Sequence, residues 1–396
     1  MRKRTWLSAV ALVAVLVVIG TACSKKTATT TTTQKNVKIA FMGALTGGAS
    51  ALVVPGYQGA QLAFEQANAG KFGKLPVKIR IEGFDTQGNP TVIPPLATKV
   101  ANDKTFVGVI GPQFSGESKA AGPILDASGI PFVTSSATNP GLAENGWTHW
   151  FRAQGNDNSQ GPTLAHYIAK VMKPNCAYVA SDDSTYGKGL ADITAKTLQT
   201  DGLKATSELG AVTTGAKDFS ALVTKVKDSG CEVLFYGGYT PEAAPLRQQM
   251  VSGGLRDVTL VGGDGIEDTD FVKNSGSQGE GTIASCPCGP ISALSGRPGV
   301  TEFADAYKAR WGPDPGIYSA DTYDVARMYI EAFKSGATTR QALTDWLNKA
   351  NYAGLSKDIS FTPQHDLNPK AVKIYLYKDE GGTWQFLGEA HDVGAV

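Results

Sequence analysis

The chain alternates short β-branched apolar segments with amphipathic segments, and it does so twice in succession. In the first run, Ala60, Ala63, Phe64 and Ala67 lie on one face of a predicted helix over 56–69. Further strands are predicted at 37–42, 77–81, 106–110 and 131–134, with helices at 92–101 and 118–127. A strand followed by a helix, repeated, is typical of a parallel sheet covered by helices.

The same alternation restarts after Trp150-Phe151-Arg152. Strands are predicted at 177–180, 206–209, 233–236 and 259–261, and helices at 158–171, 188–200, 219–228 and 241–251. A chain of 396 residues is long enough for two domains. We therefore expect an α/β fold of two doubly wound parallel-sheet lobes.

The last third is predicted to be mostly helical up to residue 349, followed by strand-like segments at 372–377 and 384–387 that complete one lobe or both. We expect the first lobe to comprise 37–156 and about 288–362. The second lobe would comprise 157–287 and about 363–396.

The N-terminus reads as a processing signal. Met1-Arg2-Lys3-Arg4 precedes an apolar run over 9–19 that is too short to span a bilayer, and Cys23 follows directly after small residues. This resembles a bacterial lipobox, although Gly20 stands where that pattern prefers Leu. We expect a signal peptide over 1–22, lipidation of Cys23 and a Thr-rich tether over 23–36. The alternative is an ordinary signal peptide with Cys23 incidental.

Composition and motifs exclude several classes of function. The net charge is +1 and no basic patch with interleaved aromatics appears, so no nucleic-acid partner is expected. No nucleophile elbow, Walker A, dinucleotide fingerprint or H-E-x-x-H motif is present, and the four histidines lack metal-ligand spacing. We predict no enzymatic activity, no metal and no cofactor.

The four remaining cysteines allow disulfides in an exported chain. Cys176 and Cys231 each begin a predicted strand, so neighbouring parallel strands would place both thiols at one end. Cys286-Pro287-Cys288 is spaced too closely for a zinc site without distant partners. We expect disulfides 176–231 and 286–288, with free buried thiols as the alternative.

Two hydroxyl-rich segments follow predicted strands of the first lobe, Ser115-Gly116 and Ser135-Ser136-Ala137-Thr138-Asn139-Pro140. Loops at the carboxyl ends of strands form the ligand crevice of open α/β sheets. Hydroxyls and free backbone N–H groups at a helix start suit a carboxylate. The segments indicate a small anionic or zwitterionic ligand, unless the hydroxyls only cap the following helices.

Several longer runs carry a resemblance to a known family. They are Gln113-Phe114-Ser115, Ser136-Ala137-Thr138-Asn139-Pro140, Ser159-Gln160-Gly161-Pro162-Thr163, Tyr186-Gly187-Lys188-Gly189-Leu190-Ala191, Lys217-Asp218-Phe219-Ser220-Ala221-Leu222 and Tyr236-Gly237-Gly238-Tyr239-Thr240-Pro241-Glu242. From 37 to about 387, the chain resembles the leucine/isoleucine/valine-type substrate-binding proteins of bacterial ABC importers, which have the type I periplasmic-binding fold. The resemblance implies two lobes joined by a multi-strand hinge.

The resemblance also implies a binding site. Ser115 would bind a ligand carboxylate, and the loop of Ser136, Ala137 and Thr138 would offer a carbonyl to the ammonium and a hydroxyl to the carboxylate. Tyr186 and Tyr239 would form aromatic walls from the second lobe. Asp264 would pair with the ammonium, where the family pattern has the longer Glu.

Two departures mark this chain. Leu52 stands where the pattern has an aromatic residue, which would change the side-chain pocket. The family's first-lobe disulfide, whose positions fall near Gly88 and Phe114, is absent.

We therefore expect a monomeric, membrane-tethered receptor for a small amino acid, branched-chain or aliphatic, that delivers its ligand to an ABC permease with its ATPase subunits. The expected location is extracytoplasmic, in the periplasm or at the cell surface. The rival interpretations are a sensor of the same fold for an amide, urea or another small nutrient, and an enzyme.

Overall fold

The first of two large sheets is five-stranded and entirely parallel, in a computed structural model that describes residues 35–396. Its order is β2-β1-β3-β4-β5. The strands are β1 (Lys35–Gly43), β2 (Val77–Asp85), β3 (Phe106–Ile110), β4 (Phe132–Thr134) and β5 (Trp150–Arg152). The predicted signal peptide and Cys23 lie outside the described residues, and β1 already includes the last two residues assigned to the tether.

Helices cover both faces of this sheet. They are α1 (Ser50–Asn68), α2 (Ile93–Asn102) and α3 (Ser115–Ala127), and, from later in the chain, α10 (Val300–Trp311), α11 (Ser319–Lys334) and α12 (Arg340–Leu347). Ile39 and Phe41 of β1 belong to one apolar core, whereas Ala40 and Met42 belong to another. Burial of both faces explains why the strand is continuously apolar from Ile39 to Met42 rather than alternating.

The second sheet has seven strands in the order β14-β13-β10-β9-β8-β6-β7. They are β6 (Cys176–Asp182), β7 (Lys204–Val212), β8 (Val233–Gly237), β9 (Thr259–Gly262), β10 (Ile283–Cys286), β13 (Tyr375–Glu380) and β14 (Thr383–Glu389). The helices of this lobe are α4 (Asp157–His166), α5 (Thr185–Thr200), α6 (Ser220–Ser229), α7 (Thr240–Ser252) and α8 (Thr269–Ser275). The first five strands are parallel, and the tail adds β13 and β14 as an antiparallel edge.

Three segments connect the lobes: 153–156, 287–290 and the segment before β13, which lies within 361–374. A short helix, α9 (Ile291–Leu294), and a hairpin of β11 (Asn351–Ala353) and β12 (Asp358–Ser360) lie outside the two large sheets. The predicted fold of two parallel-sheet lobes joined by several strands is confirmed. The residue boundaries given above for the lobes remain a proposal.

Both expected cysteine pairs are bonded in the structure. Cys176 begins β6 and Cys231 lies just before β8, which is its parallel neighbour, with Cα atoms 4.8 Å apart. Cys286 ends β10 and bonds to Cys288 at the start of a crossing segment.

Two clusters of polar side chains form hydrogen bonds beside the segments that connect the lobes. The guanidinium of Arg152 donates from Nε to Asp366 (2.6 Å) and from Nη1 to the Asn139 carbonyl (2.7 Å). The ammonium of Lys357 donates to Asp321 (2.7 Å) and to Gln154. In the described part of the chain, no helix is long and apolar enough to cross a membrane.

Candidate ligand-binding site

The hydroxyl-rich segments of the first lobe are tied to each other. Ser115 is the first residue of α3, and its Oγ accepts a hydrogen bond from the Asn139 N–H (3.2 Å). The Ser136 hydroxyl lies 2.7 Å from both the carbonyl and Oε1 of Gln113. Neither hydroxyl caps a helix, because Phe114 is the N-cap residue of α3 and Asn139 caps the turn that follows the loop.

The other two members of the loop are buried. The Ala137 N–H donates to Thr134 Oγ1 (3.0 Å), and its carbonyl accepts from Arg152 (3.2 Å). Thr138 is fully buried, and its hydroxyl has no hydrogen-bond partner of normal geometry. A buried hydroxyl in this state favours a polar ligand group beside it.

Three residues of the second lobe meet at the carboxyl ends of its strands. Tyr186, in the first turn of α5, donates its hydroxyl proton to Asp264 Oδ1 (2.9 Å) and accepts from the Gly265 N–H (3.1 Å). The ring of Tyr239, just before α7, lies 5.0 Å from the ring of Tyr186. The predicted aromatic walls and the predicted acid thus form one cluster.

Contacts cross the cleft between the lobes. The hydroxyl of Tyr318 donates to Asp264 Oδ2 (2.6 Å), and the rings of Phe114 and Tyr239 lie 5.3 Å apart. The Asn139 side chain donates to the Thr185 carbonyl (2.9 Å). The structure therefore brings the predicted residues of both lobes to a single closed interface.

The interface is buried and contains two carboxyl groups. Burial raises the pKa of Asp264, although the hydroxyls of Tyr318 and Tyr186 oppose the shift. Burial, and next the negative charge of Asp264, raises the pKa of Asp157 to about 8. A positive charge placed between these two carboxyl groups would favour their ionised forms and lower both pKa values again.

Sequence reasoning missed Tyr318, Asp157 and Gln160 as members of the site. Tyr318 adopts a left-handed backbone conformation (φ 57°) just before α11, which is uncommon for a bulky residue and typical of functional sites. Asp157 directly precedes the helix predicted over 158–171, and no pattern in the sequence distinguishes it. Gln160 stood in a run that carried the resemblance, but no role was drawn from it.

Leu52 is buried in the apolar core of the first lobe, which also contains Phe114 and Tyr318. Its neighbours Ala51 and Pro55 line a cavity of about 500 Å³ between the lobes, with Glu267 and Trp384 on the opposite side. The cavity touches the predicted site only through Tyr318, whose hydroxyl reaches Asp264. The cavity therefore adjoins the site at Tyr318 and does not coincide with it.

The positions near the missing first-lobe disulfide lie close together. A Cβ atom at Gly88 would be 3.7 Å from the ring of Phe114. The ring that contacts Tyr239 therefore stands where the family pattern has a cysteine.

Known proteins resemble this chain over most of its length. A family model described as periplasmic binding protein matches residues 36–382. A Leu/Ile/Val-binding protein homolog of Brucella melitensis is 32% identical over 329 residues, which is 82% of this chain and 85% of the relative.

Solved structures share the fold. The branched-chain amino acid transporter substrate-binding protein LivJ from Streptococcus pneumoniae, in complex with isoleucine, superimposes with a TM-score of 0.79 at 24% identity, over 90% of this chain and 99% of LivJ. A solute-binding protein from R. palustris in complex with benzoate gives 0.77 at 17% identity, over 90% and 96% of the two chains.

Proposed function

Because this chain belongs to the periplasmic binding protein family, we propose that it is the extracytoplasmic solute-binding component of an ABC importer for a small branched-chain or aliphatic amino acid. The family consists of substrate-binding proteins that serve transporters, so the chain is not an enzyme. A permease with its ATPase subunits is the proposed partner.

One observation carries the choice of an amino acid. Asp264 is buried and accepts hydrogen bonds from the hydroxyls of Tyr186 in one lobe and Tyr318 in the other. On the first lobe, Ser115 begins α3, where the first N–H groups of a helix have no partner within the helix. A carboxylate-binding end opposite a buried acid suits a zwitterion.

The proposed mechanism is hinge closure. The ligand carboxylate docks first on the lobe of Ser115 and Thr138. The second lobe then closes by bending at the segments that join the lobes and brings Tyr186, Tyr239 and Asp264 onto the ammonium end. Ligand binding shifts the population toward this closed form, which the permease recognises.

Thermal unfolding against a panel of solutes tests the proposal. The panel contains aliphatic amino acids, amides, urea and benzoate. A ligand at about a hundred times its Kd adds roughly 2.7 kcal/mol of stability. If only benzoate or an amide shifts the transition, the amino-acid proposal is wrong and the sensor or aromatic-acid alternative replaces it.

The membrane anchor is a separate part of the proposal. We propose that Cys23 is lipidated after removal of residues 1–22 and that the Thr-rich segment tethers the lobes to the membrane. Mass spectrometry of the mature N-terminus tests this, because an unmodified Cys23 would contradict it. Cys23→Ala is expected to release the protein from the membrane fraction without changing its ligand affinity.

A further inference from the structure

Helix α4 presents two buried polar side chains to the site that the proposed function has not yet used. Asp157 is the first residue of α4, and its main-chain N–H donates to the Thr138 carbonyl (3.0 Å), which fixes the helix start against the first-lobe loop. Gln160 follows one turn later and donates from Nε2 to the Ser285 carbonyl (3.2 Å). Both side chains are fully buried.

Several oxygen atoms of these side chains lack a hydrogen-bond partner. Neither carboxylate oxygen of Asp157 has a hydrogen-bond partner of normal geometry, and the same holds for Gln160 Oε1 and for the hydroxyl of Thr138. Gln160 Oε1 lies beside Gly263, since a Cβ atom there would be 3.3 Å from it, and Gly263 directly precedes Asp264. Buried acceptors of this kind cost free energy unless a donor reaches them.

Two protein groups act on the Asp157 carboxyl group, the Thr138 hydroxyl as a hydrogen-bond donor and Arg152 through its charge. The Arg152 guanidinium donates to Asp366 and to two main-chain carbonyls, and only its Nη2 has no hydrogen-bond partner of normal geometry. Asp157 and Asp264 are close enough for the charge of one to act on the other. One guanidinium shared between Asp366 and Asp157 does not balance the charge of Asp264 as well. The arrangement therefore favours a ligand group with a positive charge and several N–H donors.

We infer that Asp157 is a second carboxylate of the ammonium site, so that the ligand ammonium lies between Asp157 and Asp264, with Thr138 and Gln160 as neutral acceptors beside it. The inference rests on the proposed function and deepens it. It names the amine as the ligand group on which affinity depends most, ahead of the carboxylate. It therefore selects primary amines with an aliphatic side chain over aromatic or aliphatic acids.

A change in selectivity tests the inference. Isothermal calorimetry gives the affinities for leucine and for 4-methylpentanoate, which has the same side chain and carboxylate but no amine. In Asp157→Asn the preference for leucine is expected to fall by about tenfold or more, because one charge-assisted partner of the ammonium is lost. Asp264→Asn is expected to act in the same direction.

Asp379→Asn is the matched control. Asp379 lies on β13 and is fully buried, and neither of its carboxylate oxygens has a hydrogen-bond partner of normal geometry. Its charged neighbours are Glu280 and Arg247 rather than site residues. Its replacement changes stability and leaves the leucine preference unchanged. A purely structural role of Asp157 predicts that Asp157→Asn behaves in the same way.

The outcomes separate the inference from the proposed function. If the wild-type protein binds no α-amino acid, the proposed function is wrong. If it binds leucine, and only Asp264→Asn changes the preference, the assignment of Asp157 is wrong. Should Asp157→Asn not fold, leucinamide and 4-methylpentanoate are compared on the wild-type protein, and tighter binding of the acid overturns the inference.

Discussion

Tyr318 and Asp264 join the two lobes through a buried hydrogen bond of 2.6 Å between the phenol hydroxyl and Oδ2. Tyr186 occupies the other carboxylate oxygen from within the second lobe. Each carboxylate oxygen therefore accepts a hydrogen bond from a hydroxyl of a different lobe. Under the proposed hinge closure, Asp264 would acquire the second of these bonds only when the lobes meet.

Tyr318→Phe is expected to weaken ligand binding by about tenfold or more, since hydrogen bonds to charged groups contribute about 1.5–3 kcal/mol. The fold should persist, because the ring that packs against the core remains. Calorimetric affinities measure the effect.

Tyr329→Phe is the control for that variant. The Tyr329 hydroxyl donates to the Val109 carbonyl (2.9 Å) inside the first lobe. Its loss lowers the unfolding temperature and leaves affinity unchanged. Equal affinities in Tyr318→Phe and the wild type would show that the bond between the lobes does not support closure.

The stability of the ligand-free protein is expected to fall as pH rises from about 4.5 to about 8. Burial raises the pKa of Glu117, in the first turn of α3, from 4.5 to about 8. Between these two pH values the Glu117 carboxyl group is protonated in the folded chain and ionised in the unfolded chain. Because the folded state binds the extra proton, its free energy of unfolding falls as the proton concentration falls. Asp182 and Asp268, both with a pKa raised by burial to about 7, act in the same direction.

Glu117→Gln should flatten this profile by about 2–5 kcal/mol between pH 5 and 8, read from urea unfolding at several pH values. Glu302→Gln, at an exposed position on α10, serves as the control and should leave the profile as it is. A profile that Glu117→Gln does not change would mean that Glu117 titrates alike in both states.

Lys357→Met is expected to destabilise the protein by about 3–5 kcal/mol, because it leaves the carboxylate of Asp321 buried without its charge partner. The side chains of this pair are 7% and 2% exposed. The pair Lys196–Asp192, at 72% and 42%, is the exposed counterpart, and Lys196→Met should cost about 0–0.5 kcal/mol. Similar costs for the two variants would contradict the role of the buried pair.

The two disulfides should differ in their contribution to stability. Cys176–Cys231 closes a loop of 55 residues and Cys286–Cys288 a separation of only two. The loop-entropy relation gives about 4 kcal/mol for the first and roughly 1–2 kcal/mol for the second. Denaturant unfolding of the two double Cys→Ser variants measures this difference, and a larger loss for the short pair would refute the ranking.

The alternation of strands and helices was predictable from periodicity, because buried parallel strands are apolar and short. The start of α3 was not. Ser115-Gly116-Glu117 lacks apolar spacing, so the helix was predicted to begin at 118, although it begins at Ser115. Likewise β10 is only four residues long and was not recognised as a strand.

The site divided along the same line. Ser115, Thr138, Tyr186 and Tyr239 stand in runs that resemble a family, and the resemblance in turn implies the role of Asp264. Tyr318 reaches the site only because the chain returns to the first lobe after β10, a long-range contact that no local pattern encodes. Asp157 is distinguished by its burial, which a sequence does not display.

The bond between Cys286 and Cys288 has a mechanical consequence. It fastens two residues separated by one proline at the point where the chain leaves the second sheet. The disulfide restricts rotation in this connection. We therefore expect a change in the angle between the lobes to occur by backbone rotation in 153–156 and in the segment before β13, rather than equally in all three connections.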